Sequence, residues 1–317
     1  MAKIGMKKII RVYITENCNS KCRNCFNARE RGNSIIGLQQ FEEICHYFAS
    51  NGVSTIKVMG GEPTTHPDFN DIMAIAQEYF TAVFLFTNAI NNKVLGFKPR
   101  ETDAIIYNFR FSKVLTADKL LLDKPGRRSL EVQITSKTNE IKLIDEILSR
   151  CGNYKERINP CLTLDCTENI FTNREKLIEK YSKVWNVCQE AGFIMGQDHI
   201  PPLCFIYGSD IKMPSSGCIC DSNCIGLIDA KFNIKFCNQY SQSLGNLYKD
   251  NTLIPFIEYL DILSKEQENL QNIVKEKICD KCPFYQQYCN GGCFMAKDFI
   301  DRDNVIINSQ MSSLFLN

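Results

Sequence analysis

Strand and helix patterns alternate through the first two thirds of this 317-residue chain, and that alternation constrains the fold more than any other feature. Ile9 to Thr15 alternates as a strand, and Leu38 to Ser50 reads as an amphipathic helix ending at Asn51-Gly52. The apolar run Val53 to Met59 predicts a second strand. Asp68, after His66-Pro67, is placed to cap a helix running through Phe80, and Ala82 to Phe86 is a compact strand closed by Thr87-Asn88. Further strands are expected at Ala104 to Phe111, Leu130 to Thr135 and Ile158 to Leu164. Helices near Asn139 to Ser149 and Arg174 to Ala191 separate and follow them, the second opened by the capping box Thr172-x-x-Glu175. Six such units predict an α/β fold, a parallel sheet with outer helices curved as a partial (β/α)6 TIM-like barrel. Barrels of this kind carry chemistry on the loops at the carboxyl ends of their strands, where Cys18, Gly60 and Asn88 all fall.

The first of those loops reads Cys18-Asn19-Ser20-Lys21-Cys22-Arg23-Asn24-Cys25. An ordinary iron–sulfur cluster takes four thiolates, so a C-x3-C-x2-C set leaves one iron open to a cofactor or substrate. Structural zinc is the competing occupant of such a set. Directly after the second strand comes Gly60-Gly61-Glu62-Pro63. Glycines let backbone approach a ligand closely, and Glu62 offers an acceptor to a cationic amine.

In this order and spacing the two motifs resemble the signature of the radical S-adenosylmethionine (SAM) superfamily. The resemblance implies that Cys18, Cys22 and Cys25 hold a [4Fe–4S] cluster whose open iron is chelated by SAM. It also implies that Gly60, Gly61, Glu62 and Pro63 bind the SAM amino group, and it makes Asn88 and Ser112, after the third and fourth strands, candidate SAM contacts. A strand-end Ser or Asn is otherwise a cap or turn residue. The family often has an aromatic just before the third cysteine; here Asn24 holds that place and Phe26 follows.

The chain has 17 cysteines, too many for core packing alone, in an N-terminal triplet and a C-terminal crowd. Two domains are therefore expected, a core over residues 1–197 and a small cysteine-rich domain over 198–317, with the boundary near Gln197. Secreted disulfide frameworks also use many cysteines. The start Met1-Ala2-Lys3-Ile4-Gly5-Met6-Lys7-Lys8, however, leads into an alternating strand rather than a signal-peptide core, so a cytoplasmic protein is expected. No apolar stretch approaches the ~18 to 20 residues that span a bilayer. The 37 basic and 36 acidic residues give +1, which suggests neither a nucleic-acid nor a membrane surface.

Cys279-x2-Cys282-x6-Cys289-x3-Cys293, with Cys224-x12-Cys237 followed by Ser243-Leu244-Gly245-Asn246-Leu247, closely resembles the SPASM extension of radical SAM enzymes, whose middle gap is usually one residue shorter. That resemblance assigns a first auxiliary cluster to Cys218, Cys224, Cys237 and Cys293, and a second to Cys279, Cys282 and Cys289. No cysteine follows Cys293 to complete the second. Cys220 is a candidate for the missing ligand, a second arrangement leaves the site open or uses Asp298 or substrate, and a third has a single "twitch" cluster on Cys224, Cys237, Cys279 and Cys282. Zinc is the alternative occupant here too. The glycine usual in the turn before the family's second auxiliary cysteine is here Phe232, with four residues between it and Cys237.

The resemblance implies reductive cleavage of SAM to a 5′-deoxyadenosyl radical that abstracts hydrogen from a substrate C–H bond, with a flavodoxin- or ferredoxin-type electron donor. The substrate it favours is a ribosomally made precursor peptide with a leader, modified by a thioether or carbon–carbon crosslink, oxidation or epimerisation. The alternative is a small molecule such as a sugar or aminocyclitol. With 17 residues before Cys18, no N-terminal leader-binding domain is expected, and a separate protein or an edge strand is expected to bind the leader. Sulfatase maturation is disfavoured, because Asn238 follows Cys237 where that subgroup has a base Asp, and an amide cannot take the proton. Cys161, Cys166 and Cys204 lie at or after strand ends, where a thiol could donate hydrogen to a substrate radical; small buried apolar residues are the alternative. Asp165 is a candidate base or a turn residue, and His66 beside Pro67 is expected to shape the loop after Glu62. A third reading is a non-catalytic cluster or zinc protein, which would need neither SAM nor Glu62.

Overall fold

The computed structural model describes residues 9–22, 25, 31–108, 125–164, 172–197, 224–238 and 242–274. The strands of the first two thirds are β1 Ile9–Tyr13, β2 Thr55–Met59, β3 Ala82–Thr87, β4 Ala104–Asn108, β5 Arg127–Ile134, β6 Ile158–Leu164 and β7 Gly196–Gln197. The helices between them are α1 Leu38–Ser50, α2 Phe69–Tyr79, α3 Glu140–Cys151 and α4 Arg174–Glu190. Beyond them lie β8 Cys224–Ile228, β9 Asn233–Lys235, β10 Gly245–Asn246, β11 Tyr248–Lys249, β12 Thr252–Leu253 and α5 Phe256–Val274.

Among the described residues one sheet has ten strands in the order β10-β9-β8-β1-β2-β3-β4-β5-β6-β7, parallel from β8 through β7. The expected α/β fold with a mostly parallel, partial TIM-like sheet is thus observed. Its helices share one face. Ile10, Val12, Ile56, Val58, Val83 and Leu85 pack there against Phe41, Ile44 and Phe48 of α1 and Ile72 and Met73 of α2 in a single core. Tyr181 and Val184 of α4 and Tyr259 and Leu263 of α5 join the same core. Among the described residues no helix lies over the strand side chains of the opposite face, which leaves that face available for chemistry.

Element bounds follow the expected ones closely, and the differences have local causes. α1 and β6 match their expected limits. Asp68 occupies the N-cap position of α2 but makes no side-chain cap; its backbone N–H donates to His66 Nδ1 at 3.1 Å instead. α3 is capped as the sequence suggests, with Asn139 Oδ1 accepting from Lys142 N at 3.0 Å. α4 begins one residue later than the capping box implies, with Asn173 at the N-cap. β5 starts before Leu130, at Arg127, because Gly126 turns tightly beneath Arg100 and Asp103, at φ +84°, and Arg127 N donates to Asp103 O. β4 is expected to run to Phe111, and the part beyond Asn108 lies outside the described residues.

A feature absent from the sequence reading is the pairing of β8 with β1. Ile9 sits beside Cys224 and Val12 beside Ile228, so the first described stretch of the cysteine-rich segment is a parallel strand that extends the core sheet beyond β1. β9 returns antiparallel, with Leu227 opposite Lys235. α5 covers β8 from the helix side, and the Tyr259 hydroxyl donates to the Ile225 carbonyl. No helix among the described residues is long and apolar enough to cross a membrane.

Candidate active site

The three loops at the carboxyl ends of β1, β2 and β3 are sewn together by backbone bonds. Ile14 N donates to Met59 O, Gly61 N to Thr15 O at 2.8 Å, and Glu62 N to Asn17 O at 2.7 Å. Thr65 Oγ1 adds a bond to the same Asn17 carbonyl. This contact is what demands the two glycines. A Cβ on Gly60 would lie 2.5 Å from Thr15 O, and one on Gly61 would lie 2.2 Å from Asn17 O. Backbone cannot yield to such an overlap, so the Gly-Gly pair lets the segment entering Cys18 lie directly on the second loop.

Glu62 points inward. Only 1% of it is exposed, and its carboxylate accepts from Thr64 N, Thr64 Oγ1, Thr87 Oγ1 at 2.6 Å and Asn88 N at 2.7 Å. Burial pushes its pKa up, against the hydrogen bonds from Asn88, Thr64 and Thr87 that favour the charged form. Glu62 therefore fastens the β2 loop to the end of β3, with a carboxylate already engaged by the chain's own donors. Asn88 extends the chain of contacts, since its Nδ2 donates to Asn19 Oδ1 at 2.7 Å inside the cysteine loop. His66 is fully buried, its Nε2 at 2.9 Å from Ile36 O while Nδ1 accepts from Asp68 N, which ties the loop after Glu62 to the segment entering α1 as expected. Burial lowers its pKa.

Cys18, Cys22 and Cys25 are half-buried on the loop so held. They sense one another: Cys22 is pushed up first by its hydrogen bond with Cys25 and then by burial, and Cys18 by burial, with Cys25 and Glu62 adding to it. Arg31, which the sequence reading passed over, hydrogen-bonds Cys25, and its positive charge lies near all three thiols. The set fits a cluster chemically, three soft thiol donors on one loop beside a cation that offsets accumulated negative charge. Among the described residues no three His, Cys, Asp or Glu side chains are grouped as they would be around a single metal ion.

The sheet face turned away from the helices was also missed, although period-two alternation marks it. Arg11, Lys57 and Phe84 are neighbours across β1, β2 and β3, and Asn108, Glu131 and Cys161 across β4, β5 and β6. Side chains on paired positions of a parallel sheet share a face. Tyr13, Met59 and Leu227 form a small apolar cluster there with Phe86, and Lys57 Nζ lies 5.6 Å from the Phe86 ring centre. This face is thus apolar near the cysteine loop and carries charge of both signs along its length.

Cys224 and Cys237 belong to the other end. Cys224 pairs with Ile9, at the start of β1, and Cys237 follows β9 back toward the level where β8 begins. The five residues of β1 span about 16 Å. Ser112, Asp165, Cys166, Cys204, Cys218, Cys220, Cys279, Cys282, Cys289, Cys293 and Asp298 lie outside the described residues.

A parallel α/β sheet with helices on one face and a three-cysteine loop at its carboxyl end defines a fold class, the partial α/β barrels. Residues 12–105 match the model of the radical SAM superfamily. The antilisterial bacteriocin subtilosin biosynthesis protein AlbA of Bacillus subtilis is 30% identical over 76 residues, which is 24% of this chain and 17% of that protein. A GTP 3′,8-cyclase of Edwardsiella ictaluri is 32% identical over 74 residues, 22% of each. The matched stretch thus spans about a fifth of the length of these relatives. Among solved structures, Streptococcus suis SuiB bound to S-adenosylmethionine superposes with a TM-score of 0.66 at 16% identity, over 92% of this chain and 73% of SuiB. That likeness is one of fold.

Proposed function

We propose that this enzyme binds SAM against a [4Fe–4S] cluster held by Cys18, Cys22 and Cys25 and removes hydrogen from a C–H bond of a precursor peptide. The observation that carries the reading is the stitching of the cysteine loop to Gly60, Gly61, Glu62 and Asn88, which gathers donor thiols and polar backbone at one end of the sheet. Bound there, the cluster would supply the electron that cleaves SAM to methionine and a 5′-deoxyadenosyl radical. The chain's own part is positional. Pro63 opens the short helical turn Pro63–Thr65, capped by Glu62, which sets the loop facing the cysteines. Asn88 holds Asn19, Glu62 fixes Asn88, and Ser112 after β4 is a further SAM contact in this reading. The apolar cluster Tyr13, Met59, Leu227 and Phe86 limits water near the reacting atoms. Lys57, Asn108, Glu131 and Cys161 then line the substrate side.

A peptide substrate is supported by the fold shared with SuiB, which has also been solved bound to its precursor peptide SuiA, and by the AlbA relative named for bacteriocin biosynthesis. The cyclase relatives match over the same core stretch and act on GTP by name, which keeps a small-molecule substrate as the second reading. The reading divides the chain near Gln197. It assigns Cys218, Cys224, Cys237 and Cys293 to one auxiliary cluster, and Cys279, Cys282 and Cys289, with Cys220 as a candidate fourth ligand, to another. Cys224 and Cys237 stand at the far end of the sheet, so an auxiliary cluster there would face the cysteine loop across the substrate. In this reading the protein is cytoplasmic, draws its electron from a flavodoxin or ferredoxin, and binds neither nucleic acid nor membrane.

The test is anaerobic purification, iron and sulfide counts, and incubation with dithionite and SAM. Formation of 5′-deoxyadenosine, lost in the Cys18→Ala/Cys22→Ala/Cys25→Ala variant, is expected. About twelve irons per chain support two auxiliary clusters and about eight support one. Zinc with no SAM cleavage would overturn the reading.

A further inference from the structure

Glu16, two residues before Cys18, closes the base of the cysteine loop. Its backbone N–H donates to Ser34 O at 2.9 Å, and its carboxylate Oε2 accepts from Ser34 N at 3.3 Å. The limb entering the loop is thereby bound to the limb leaving it. Gly32 passes over the carboxylate so closely that a Cβ there would lie 2.1 Å from Oε2. The other oxygen, Oε1, takes Lys231 Nζ at 2.7 Å, and Glu16 is 8% exposed.

Lys231 comes from the far part of the sequence, at the turn between β8 and β9, and that turn is built to aim it. Asp229 Oδ1 accepts from Lys231 N at 2.8 Å and from Asn233 N at 2.9 Å, while Asp229 Oδ2 takes Asn233 Nδ2 and the buried Lys235 ammonium. Phe232 adopts φ +65°, a conformation that bulky residues rarely take. Its ring packs edge-on against Tyr248, 5.0 Å between centres, and its carbonyl accepts from Leu247 N, so neighbouring structure holds the strained residue in place. Phe232 is thus an anchor, and the residue before it reaches the cysteine loop.

We propose that Glu16 is a positioning residue for the three cysteines, and that Lys231 makes the order of their loop depend on the β8–β9 hairpin. The inference rests on the radical SAM reading only for what the loop carries; the coupling itself belongs to the protein chain. Three groups meet at the joint, and removing the ammonium leaves a carboxylate still held by Ser34 but no longer fixed to the C-terminal segment.

The test uses the full chain in two states. In the metal-free protein, alkylation of Cys18, Cys22 and Cys25 by iodoacetamide is followed by mass spectrometry. In the reconstituted enzyme, KM for SAM and kcat for 5′-deoxyadenosine formation are measured separately. Lys231→Met is expected to speed alkylation of the three thiols and to raise KM for SAM, each by about two- to fivefold, the range of a partly exposed ion pair. Lys231→Arg should restore both. Glu16→Gln should give a similar change, and the double variant Glu16→Gln/Lys231→Met no more than either single one, as expected of two residues acting through one bond. Unchanged alkylation in Lys231→Met, or additive effects in the double variant, would overturn the proposal. If the wild-type chain cleaves no SAM, the radical SAM reading fails while the alkylation measurement still decides the coupling.

Discussion

A methyl group at Gly61 would stand 2.2 Å from one backbone carbonyl oxygen and 2.6 Å from another, those of Asn17 and Glu16. Gly61→Ala must therefore push the cysteine loop off the β2 loop or break the Gly61–Thr15 bond. We expect a loss of about 1–3 kcal/mol, the usual cost of overpacking, with reduced iron loading. Urea unfolding and an iron count of the same preparation check both. The motif Gly60-Gly61-Glu62-Pro63 was legible as a unit, but the sequence gives no sign of which way its members face. Glycine was read as room for a ligand, and the described chain gives it a second use, the close approach of the backbone of Thr15 to Asn17. Glu62 was read as an acceptor for a ligand amine, and its carboxylate also accepts from Thr64 and Thr87 on Oε1 and from Asn88 N on Oε2. Arg31 and Glu16 carry no motif, and only distance reveals them.

Asp103 binds several elements at the amino end of the sheet. It is fully buried and accepts from Val83 N at 2.8 Å, from Gln77 Nε2 at 2.8 Å and from the Arg100 backbone and guanidinium, which joins β3, α2 and the entrance to β4. Burial pushes its carboxyl up, but the bonds from Arg100, Gln77 and Val83 outweigh this and hold it below the usual range. A depressed folded pKa means that the stabilisation is full above the unfolded value, about 3.9, and is lost as pH falls through the folded one. Asp103→Asn should cost about 2–3 kcal/mol at neutral pH and flatten the acid side of the stability curve. Denaturant titrations from pH 2 to 7 on both proteins measure this. Elements themselves were largely legible, because α1 and β6 carry clean periodicity and α3 an Asn cap. β8 was not, since nothing local in Cys224 to Ile228 says that its partner is β1.

The C-terminal segment is joined to the core at separate places. β8 extends the sheet at β1, Lys231 meets Glu16, the Tyr248 hydroxyl donates to Glu43 Oε2 at 3.0 Å, and Phe256 and Tyr259 pack edge-on against Phe48. A fragment ending at Gln197 would bare the β1 edge and the aromatic face of α1, so it should aggregate or unfold without a cooperative transition. A sharp thermal transition for that fragment would contradict this coupling of the two parts. The central claim remains that one end of the sheet presents SAM to an open iron on Cys18, Cys22 and Cys25. Electron–nuclear double resonance of the reduced enzyme with SAM labelled with 15N at its amino group tests it most directly. The account predicts a 15N coupling to the cluster spin that disappears in the Cys18→Ala/Cys22→Ala/Cys25→Ala variant; a reduced wild-type cluster with no 15N coupling at saturating SAM would contradict it.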